Sequence, residues 1–557
     1  MSSFSCKQQG LDYQSDKIVH APYAMVSSAH PLASDAGVEV LKQGGNAVDA
    51  AVAVQFALAV VYPRAGNVGG GGFMVYRDKN GKSNALDFRE MAPGLARRDM
   101  YLDINGNVIP GLSRFGGLAI GVPGSVDGMV HAHKSYGHLD WSALLGPSIV
   151  LAKQGYQITQ IEADRLNTFK EEFIENNKHI TNAENFPFVK TSTWQEGDLL
   201  RQPKLAATLQ RISDQGRAGF YKGKTAAGLL KTILDRGGII RQEDLNDYES
   251  FWRKPIETDY KGHRIISMPP PSSGGIALVQ LLEIVEHLDL SQDPQLSSAS
   301  IHKMVEAEHL VFADRAKHLG DADYYPVPVD ALLDPIYLAE LATSIPLDSA
   351  RLSENIYTKD FEDLESYETT HFSIVDQAGN AVSITTTLNS NYGSKVFEPH
   401  GGYFLNNEMD DFSAKPGVPN LYGLIGNEAN AIQPGKRMLS SMTPTIVEKG
   451  NALHSVIGTP GGSTIITSVF QIIVNMLDYN QTLYEAIEAP RFHHQWLPDQ
   501  IMVEENKFDP LVLQQLRDMG HTIKTAKYIG LVDAVAREEG GWIGVGDPRG
   551  DDDAEGY

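Results

Sequence analysis

From Ala47 to Val61 the chain runs through fifteen residues that are almost all Ala, Val, Leu or Phe, broken only by Asp49 and Gln55. That is short of the roughly 20 apolar residues a helix needs to cross a bilayer, so the run reads as a helix buried in protein. A helix that is apolar all round has to be covered on every side. It therefore lies against a sheet on one face and other helices on the other, which demands a layered fold. Asn46 caps its start and Pro63 ends it, while Pro31 to Lys42, stopped by Gly44-Gly45, reads as a preceding helix. Next come Gly66-Asn-Val-Gly69-Gly70-Gly71-Gly72 and then Phe73 to Arg77. A nucleotide-binding glycine loop follows a strand and opens a helix, whereas these glycines lead into a strand. They predict close backbone packing beside a site, with Asn84 to Arg89 as the paired strand.

The length of 557 residues allows three or four ordinary domains or one large layered one. Residues 140 to 360 read as predominantly helical. Leu278 to Leu290 is an example, with a stripe of Leu281, Leu282, Ile284, Val285 and Leu288. Before it, Met268 to Gly275 holds three prolines and two glycines, a rigid connection that serves as a linker or as a backbone wall beside a pocket. At Thr369 the texture changes. Thr369 to Asp376 and Ala381 to Asn389 are β-branched segments joined by Gln377-Ala-Gly379-Asn380, a hairpin pattern. Further strands are expected at Gly401 to Leu405, Thr445 to Val447 and His454 to Ile457, giving helix layers over stacked sheets.

Several functions are disfavoured. Lys plus Arg number 47 against 70 Asp plus Glu, a net charge of −23 that repels nucleic acid. The single cysteine, Cys6, permits neither an internal disulfide nor a cysteine-ligated metal. Ala218 to Thr225 nearly matches a phosphate loop, but its first glycine is Ala and Leu205 to Ser213 before it is helical in pattern, so a P-loop ATPase is the weakest reading. No HExxH occurs, and His302, His309, His493 and His494 lack its spacing. They read as core or surface groups, Asp551 to Asp553 reads as a solvated patch, and no metal is expected. Gly124 to Gly128 has the wrong spacing for a serine nucleophile elbow.

A series of motifs in order along the chain is more specific. These are Asp87 to Pro93, Gly121 to Gly124, Met268 to Gly275, Thr369 to Asp376, Leu405 to Phe412, Leu439 to Pro444, Gly458 to Ser463, Ala489 to Trp496 and Gly546 to Arg549. Through them the chain resembles the gamma-glutamyltranspeptidase (glutathione hydrolase) family of N-terminal nucleophile hydrolases. The resemblance implies an α+β fold, a four-layer αββα sandwich. It also implies a precursor that cuts itself between Glu368 and Thr369. The products would be a large subunit, 1–368, of mostly helical outer layers plus strands, and a strand-rich catalytic small subunit, 369–557, paired as a heterodimer. Thr369 would then own an α-amine. With an ordinary pKa of about 7.7–8.0 such an amine can accept the hydroxyl proton.

By the same resemblance, Thr387 hydrogen-bonds the nucleophile, and Gly461 and Gly462 offer N–H groups to an oxyanion. Arg89 binds the substrate α-carboxylate with Ser440 and Ser441, and Asn389, Glu408 and Asp411 surround the ammonium. Without the resemblance, Arg89 reads as a structural ion pair. Tyr422 lies in a Pro- and Gly-rich stretch between Phe412 and Met438 that matches the lid loop of bacterial relatives and argues against cephalosporin acylases. Two positions depart from common family choices. Glu368 stands where many relatives have Asn or Gln, and Glu408 where some have Gln. The implied activity is transfer of the γ-glutamyl group of glutathione and related compounds to water, amino acids or dipeptides, with no cofactor. The rivals are a glutaryl (cephalosporin) acylase and a processing-dead γ-glutamyl-binding protein. An extracytoplasmic, periplasmic location is expected although no signal peptide is seen, with a lipid anchor at Cys6 as one possibility.

Overall fold

The apolar run forms the helix Ala47–Val61, and every one of its residues is buried. Asn46 accepts hydrogen bonds from the N–H groups of Val48 and Asp49, and Asp49 accepts from the N–H of Asn46, a reciprocal cap. These details come from a computed structural model that describes residues 13–178, 180, 186–353 and 369–557. Cys6 and Glu368, with the anchor and junction expectations tied to them, lie outside the described residues.

Two seven-stranded antiparallel sheets form the centre. In spatial order the first contains Asp553–Gly556, Met25–Ser28, Thr369–Val375, Ala381–Thr387, Gly71–Arg77, Ser83–Asp87 and Phe251–Arg253. The second contains Ile18–Ala21, Gly541–Gly546, Asp533–Glu538, Ala452–Gly458, Thr445–Lys449, His263–Ser267 and Ile256–Tyr260. Alternation along the strands assigns the layers. Met74, Tyr76, Phe372 and Ile374 pack with the helices Pro31–Lys42 and Ala47–Val61. Val75, Val375 and Ala381 meet Ile266, Ile446, Val456 and Val535 of the other sheet. The outer face of that sheet, including Ile265, Val447 and Ile457, packs against helices Gly274–Leu288, Ser298–His318 and Thr464–Leu477. The order is helix, sheet, sheet, helix, the αββα sandwich, and each sheet draws strands from both sides of Thr369.

The segment 140–360 is predominantly helical, as expected, and its described residues also hold five strands: the short pair Tyr156–Gln157 and Leu199–Leu200, and Phe251–Arg253, Ile256–Tyr260 and His263–Ser267, which join the central sheets at or next to an edge. Ile256–Tyr260 is an edge strand with alternate residues exposed, so its sequence lacks an apolar run. Asp552 and Asp553 are buried rather than solvated. The strand Asp553–Gly556 pairs with Met25–Ser28, and Asp553 accepts a 2.8 Å hydrogen bond from the N–H of Asp16. The phosphate-loop look-alike lies in helices Ala218–Tyr221 and Gly223–Asp235, which follow helix Pro203–Gln215 rather than a strand.

The glycine run packs backbone against backbone. A Cβ on Gly70 would fall 2.0 Å from the carbonyl oxygen of Thr387, so only glycine lets the strand Gly71–Arg77 approach there. The Met268–Gly275 segment is a wall, not a linker. The N–H of Ser440 donates to Pro271 O at 3.0 Å, and the N–H of Ser273 donates to Ser440 O at 2.8 Å.

Candidate active site

Strand parity brings Thr369 to the cleft between the sheets. Ser373 Oγ reaches across the sandwich to donate to Asp533 O at 2.9 Å. A two-residue period then puts His371 and Thr369 on the same inner face. Register pairs Thr369 with Thr387 across the hairpin, and their hydroxyl oxygens are 3.5 Å apart. Thr387 Oγ1 also accepts from the N–H of Asn389 at 2.8 Å. Asn389 holds φ at 74°, a left-handed conformation Asn tolerates better than most residues. Its amide donates to Asn407 O at 3.1 Å. The Tyr422 hydroxyl lies 2.7 Å from Asn389 Oδ1 and 2.8 Å from its carbonyl oxygen.

Gly461 and Gly462, at φ 140° and 56°, lead into helix Thr464–Leu477. A Cβ on Gly462 would sit 2.6 Å from the Tyr422 ring, so the aromatic closes directly over this turn. Among the described residues no acceptor is hydrogen-bonded to the N–H of either glycine. The nearby helix N-terminus adds a partial positive charge, which suits a developing oxyanion.

The other end of the cleft is charged. Arg89 is buried and its guanidinium is shared by Glu408, through Nη1, and Asp411, through Nη2 at 2.5 Å. Glu90 stands 3.7 Å from Nη1. Burial raises the carboxyl of Asp411 to about 6 and that of Glu90 to about 7, against the opposing pull of Arg89, and pushes Glu408 well up. Burial also works against the charge on Arg89, but the carboxylates outweigh it and hold its pKa up.

One small cavity is lined by Thr369, Thr387, Asn389, Arg89, Glu408, Asp411, Tyr422, Ser440, Ser441 and Gly462. Every expected site residue inside the described chain except Gly461 contributes to its wall, and Gly461 is the next residue in the turn. Arg89 therefore makes the ion pair that its chemistry alone suggests, and makes it inside the cavity.

Arg315 was not anticipated. It also lines the cavity, donating from Nε to Ser273 Oγ at 2.9 Å and from Nη2 to Ser441 Oγ at 3.1 Å. Burial lowers its pKa to about 10. A single arginine in the last turns of a helix reads as a solvated charge, so no sequence spacing flagged it. Two guanidinium groups and two carboxylates, Glu408 and Asp411, thus line the cavity, with Glu90 near Arg89, a mixed set of charges suited to a ligand that carries a cationic group beside an anionic one.

The model of the gamma-glutamyltranspeptidase family matches residues 33–557. The glutathione hydrolase proenzyme of Escherichia coli is 45% identical over 539 residues, covering 96% of this chain and 92% of that protein. Among solved structures, the cephalosporin acylase from Bacillus halodurans superposes with a TM-score of 0.83 at 26% identity, covering 100% of this chain and 99% of its own. The gamma-glutamyltranspeptidase of Helicobacter pylori gives a TM-score of 0.56 at 46% identity, covering 60% of this chain and 93% of the solved one.

Proposed function

The chain belongs to the gamma-glutamyltranspeptidase family, and from that premise we propose that Thr369 is the nucleophile of a self-processed γ-glutamyl hydrolase and transferase. Cleavage between Glu368 and Thr369 would divide the chain into 1–368 and 369–557 and free the α-amine. The amine takes the Oγ1 proton as that oxygen bonds to the γ-carbonyl carbon, and Thr387 hydrogen-bonds the same hydroxyl. The N–H groups of Gly461 and Gly462 meet the oxyanion. Collapse expels the amine product, which takes up the proton, and leaves a γ-glutamyl ester on Thr369. Water or an acceptor amine then attacks the ester, and Thr369 recovers its proton. No step calls on a metal or cofactor.

Substrate recognition is proposed as an exchange of ion pairs. The α-carboxylate takes the Arg89 fork, with Ser440 and Ser441 donating hydroxyls, while Glu408, Asp411 and Asn389 turn to the α-ammonium. The observation that carries the reading is the single cavity that holds Thr369 together with this charged set. The proenzyme naming of the E. coli relative supports processing. So does the extent of the H. pylori match, in which a nearly complete solved chain takes up 60% of this one.

The acylase match favours a second reading, hydrolysis of glutaryl amides, which lack the α-ammonium. Three carboxylates beside Arg89 favour the γ-glutamyl reading. The test is turnover of γ-glutamyl and glutaryl anilides side by side. We expect the γ-glutamyl compound to be preferred at least a hundredfold in kcat/KM, about 2.7 kcal/mol. Preference for the glutaryl compound would overturn the assignment.

Arg315 is proposed as a positioning residue that sets the Ser441 hydroxyl. Arg315→Lys keeps the charge but loses the two-point contact. KM should rise about tenfold with kcat within about threefold, in line with roughly 1.5 kcal/mol for a charge-assisted hydrogen bond. An equal fall in kcat with no change in KM would refute the positioning role.

A further inference from the structure

Away from the active site, histidines that the reaction does not use converge where the residues before and after Thr369 meet. His302 and Glu306 stand one turn apart on helix Ser298–His318, so they share a face. His521, more than two hundred positions on, packs against them. Its Nε2 lies 2.7 Å from His302 Nδ1. The other nitrogen of His302, Nε2, lies 2.8 Å from the carbonyl oxygen of Pro346. A carbonyl only accepts, so Nε2 carries the ring proton and Nδ1 presents a lone pair to His521. Glu306 completes the group. Its Oε1 accepts from the N–H of Arg351 at 3.0 Å, yet Oε2 has no hydrogen-bond partner among the described residues although the residue is only 1% exposed. A buried carboxylate oxygen left in this state is costly unless something else satisfies it. The three donor atoms all lie within 4.8 Å of one another.

We propose that His302, Glu306 and His521 form a binding site for a divalent metal of the zinc class. Two imidazoles and a carboxylate make up a known zinc donor set that leaves a fourth position open. Imidazole ligation selects against Mg²⁺ and Ca²⁺, which take oxygen ligands. The Pro346 carbonyl supplies the outer hydrogen bond that fixes a ligating ring, the role such partners play around zinc. With Zn–N bonds of about 2.0–2.1 Å, tetrahedral ligand atoms stand about 3.3 Å apart, so the two rings must separate by roughly 0.6 Å. Arg351 Nε stands 3.7 Å from Glu306 Oε2, but its Nη2 is held 2.6 Å from Ser344 O, so at the carboxylate the metal replaces only a long ion-pair contact, while at the imidazoles it takes the place of the His521–His302 hydrogen bond, His521 then carrying its proton on Nδ1.

The adjacent set of His309, His494 and Asp499 is not assigned a metal. His494 already pairs with Asp499 at 3.2 Å and accepts from the N–H of Trp496 at 3.2 Å, and His309 meets Ser353 Oγ at 3.3 Å. The histidine spacing in the sequence hid the proposed site because its third ligand is remote. On a chain cut before Thr369 the metal would join the two polypeptides. That consequence rests on the processing proposed above, whereas metal binding does not.

The test uses the full chain, stripped with a chelator, loaded with Zn²⁺ and desalted at neutral pH. Wild type should retain one zinc per chain, whether cut or uncut. Glu306→Gln and His521→Asn should each weaken zinc binding at least tenfold in competition with a chromophoric chelator, while His309→Gln should leave it within about twofold. X-ray absorption of the zinc-loaded wild type should show two imidazole ligands, and this readout stands even if a variant fails to fold. Failure of wild type to retain zinc, unchanged affinity in both ligand variants, or an all-oxygen shell would overturn the site.

Discussion

Thr369→Ala should lower turnover of a γ-glutamyl anilide by at least about 10⁴-fold, the scale on which enzymes lose activity when a nucleophile is removed. Alanine has no oxygen to form the ester, and the variant chain should remain uncut because in the proposed processing the same hydroxyl attacks the preceding carbonyl. Thr369→Ser should retain both cleavage and measurable turnover, since it keeps the hydroxyl and loses only a methyl. The Ala variant should still fold. Thr369 heads the strand Thr369–Val375, whose seven residue pairs to Ala381–Thr387 do not depend on the side chain of the first. Circular dichroism and a melting curve check that point. Full activity in the Ala variant would remove Thr369 from the mechanism.

The second large effect is expected at Arg89. Arg89→Gln removes the cation shared by Glu408 and Asp411 and leaves three buried carboxylates near one another. Breaking a buried ion-pair set from one side typically costs about 3–5 kcal/mol, and loss of the proposed contact to the substrate carboxylate should lower kcat/KM by about 10²–10³-fold. Arg89→Lys should fall between, because an ammonium keeps the charge without the two-point fork.

Stability should also respond to pH in a defined direction. Burial raises the Asp411 carboxyl from 3.8 to about 6 and the Glu90 carboxyl from 4.5 to about 7. A raised folded-state pKa means that the native protein holds protons the unfolded chain releases. The stabilisation from these groups is therefore fully present below about pH 4 and is lost as pH rises toward 7. Without Arg89 to oppose burial, the fall in melting temperature across that window should be steeper in Arg89→Gln than in wild type. A parallel pair of curves would contradict the account of the charge cluster.

Local patterns made much of the fold legible. The Ala47–Val61 run required cover on both sides, and the β-branched segments after Thr369 declared a hairpin whose register sets Thr369 opposite Thr387. Most of the cavity wall was legible through motif resemblance, because Arg89, Asn389, Glu408 and Ser440 come from four separate segments whose convergence no local spacing reveals. What was missed shares a physical cause. Ile256–Tyr260 is an edge strand with polar alternate residues, and Asp552 is buried beside a terminal strand only because Met25–Ser28 pairs with it. Arg315 and the His302, Glu306 and His521 group depend on long-range packing that turns residues of surface-like chemistry inward. Tertiary context decides such positions, and a local pattern carries no trace of it.

The measurement closest to the central claim is the denatured intact mass of the purified protein, with N-terminal sequencing of any fragment. The account predicts two polypeptides, residues 1–368 and 369–557 apart from any trimming at the original ends, the second beginning at Thr369. A single uncut chain after prolonged incubation, or a cut at any other bond, would contradict it.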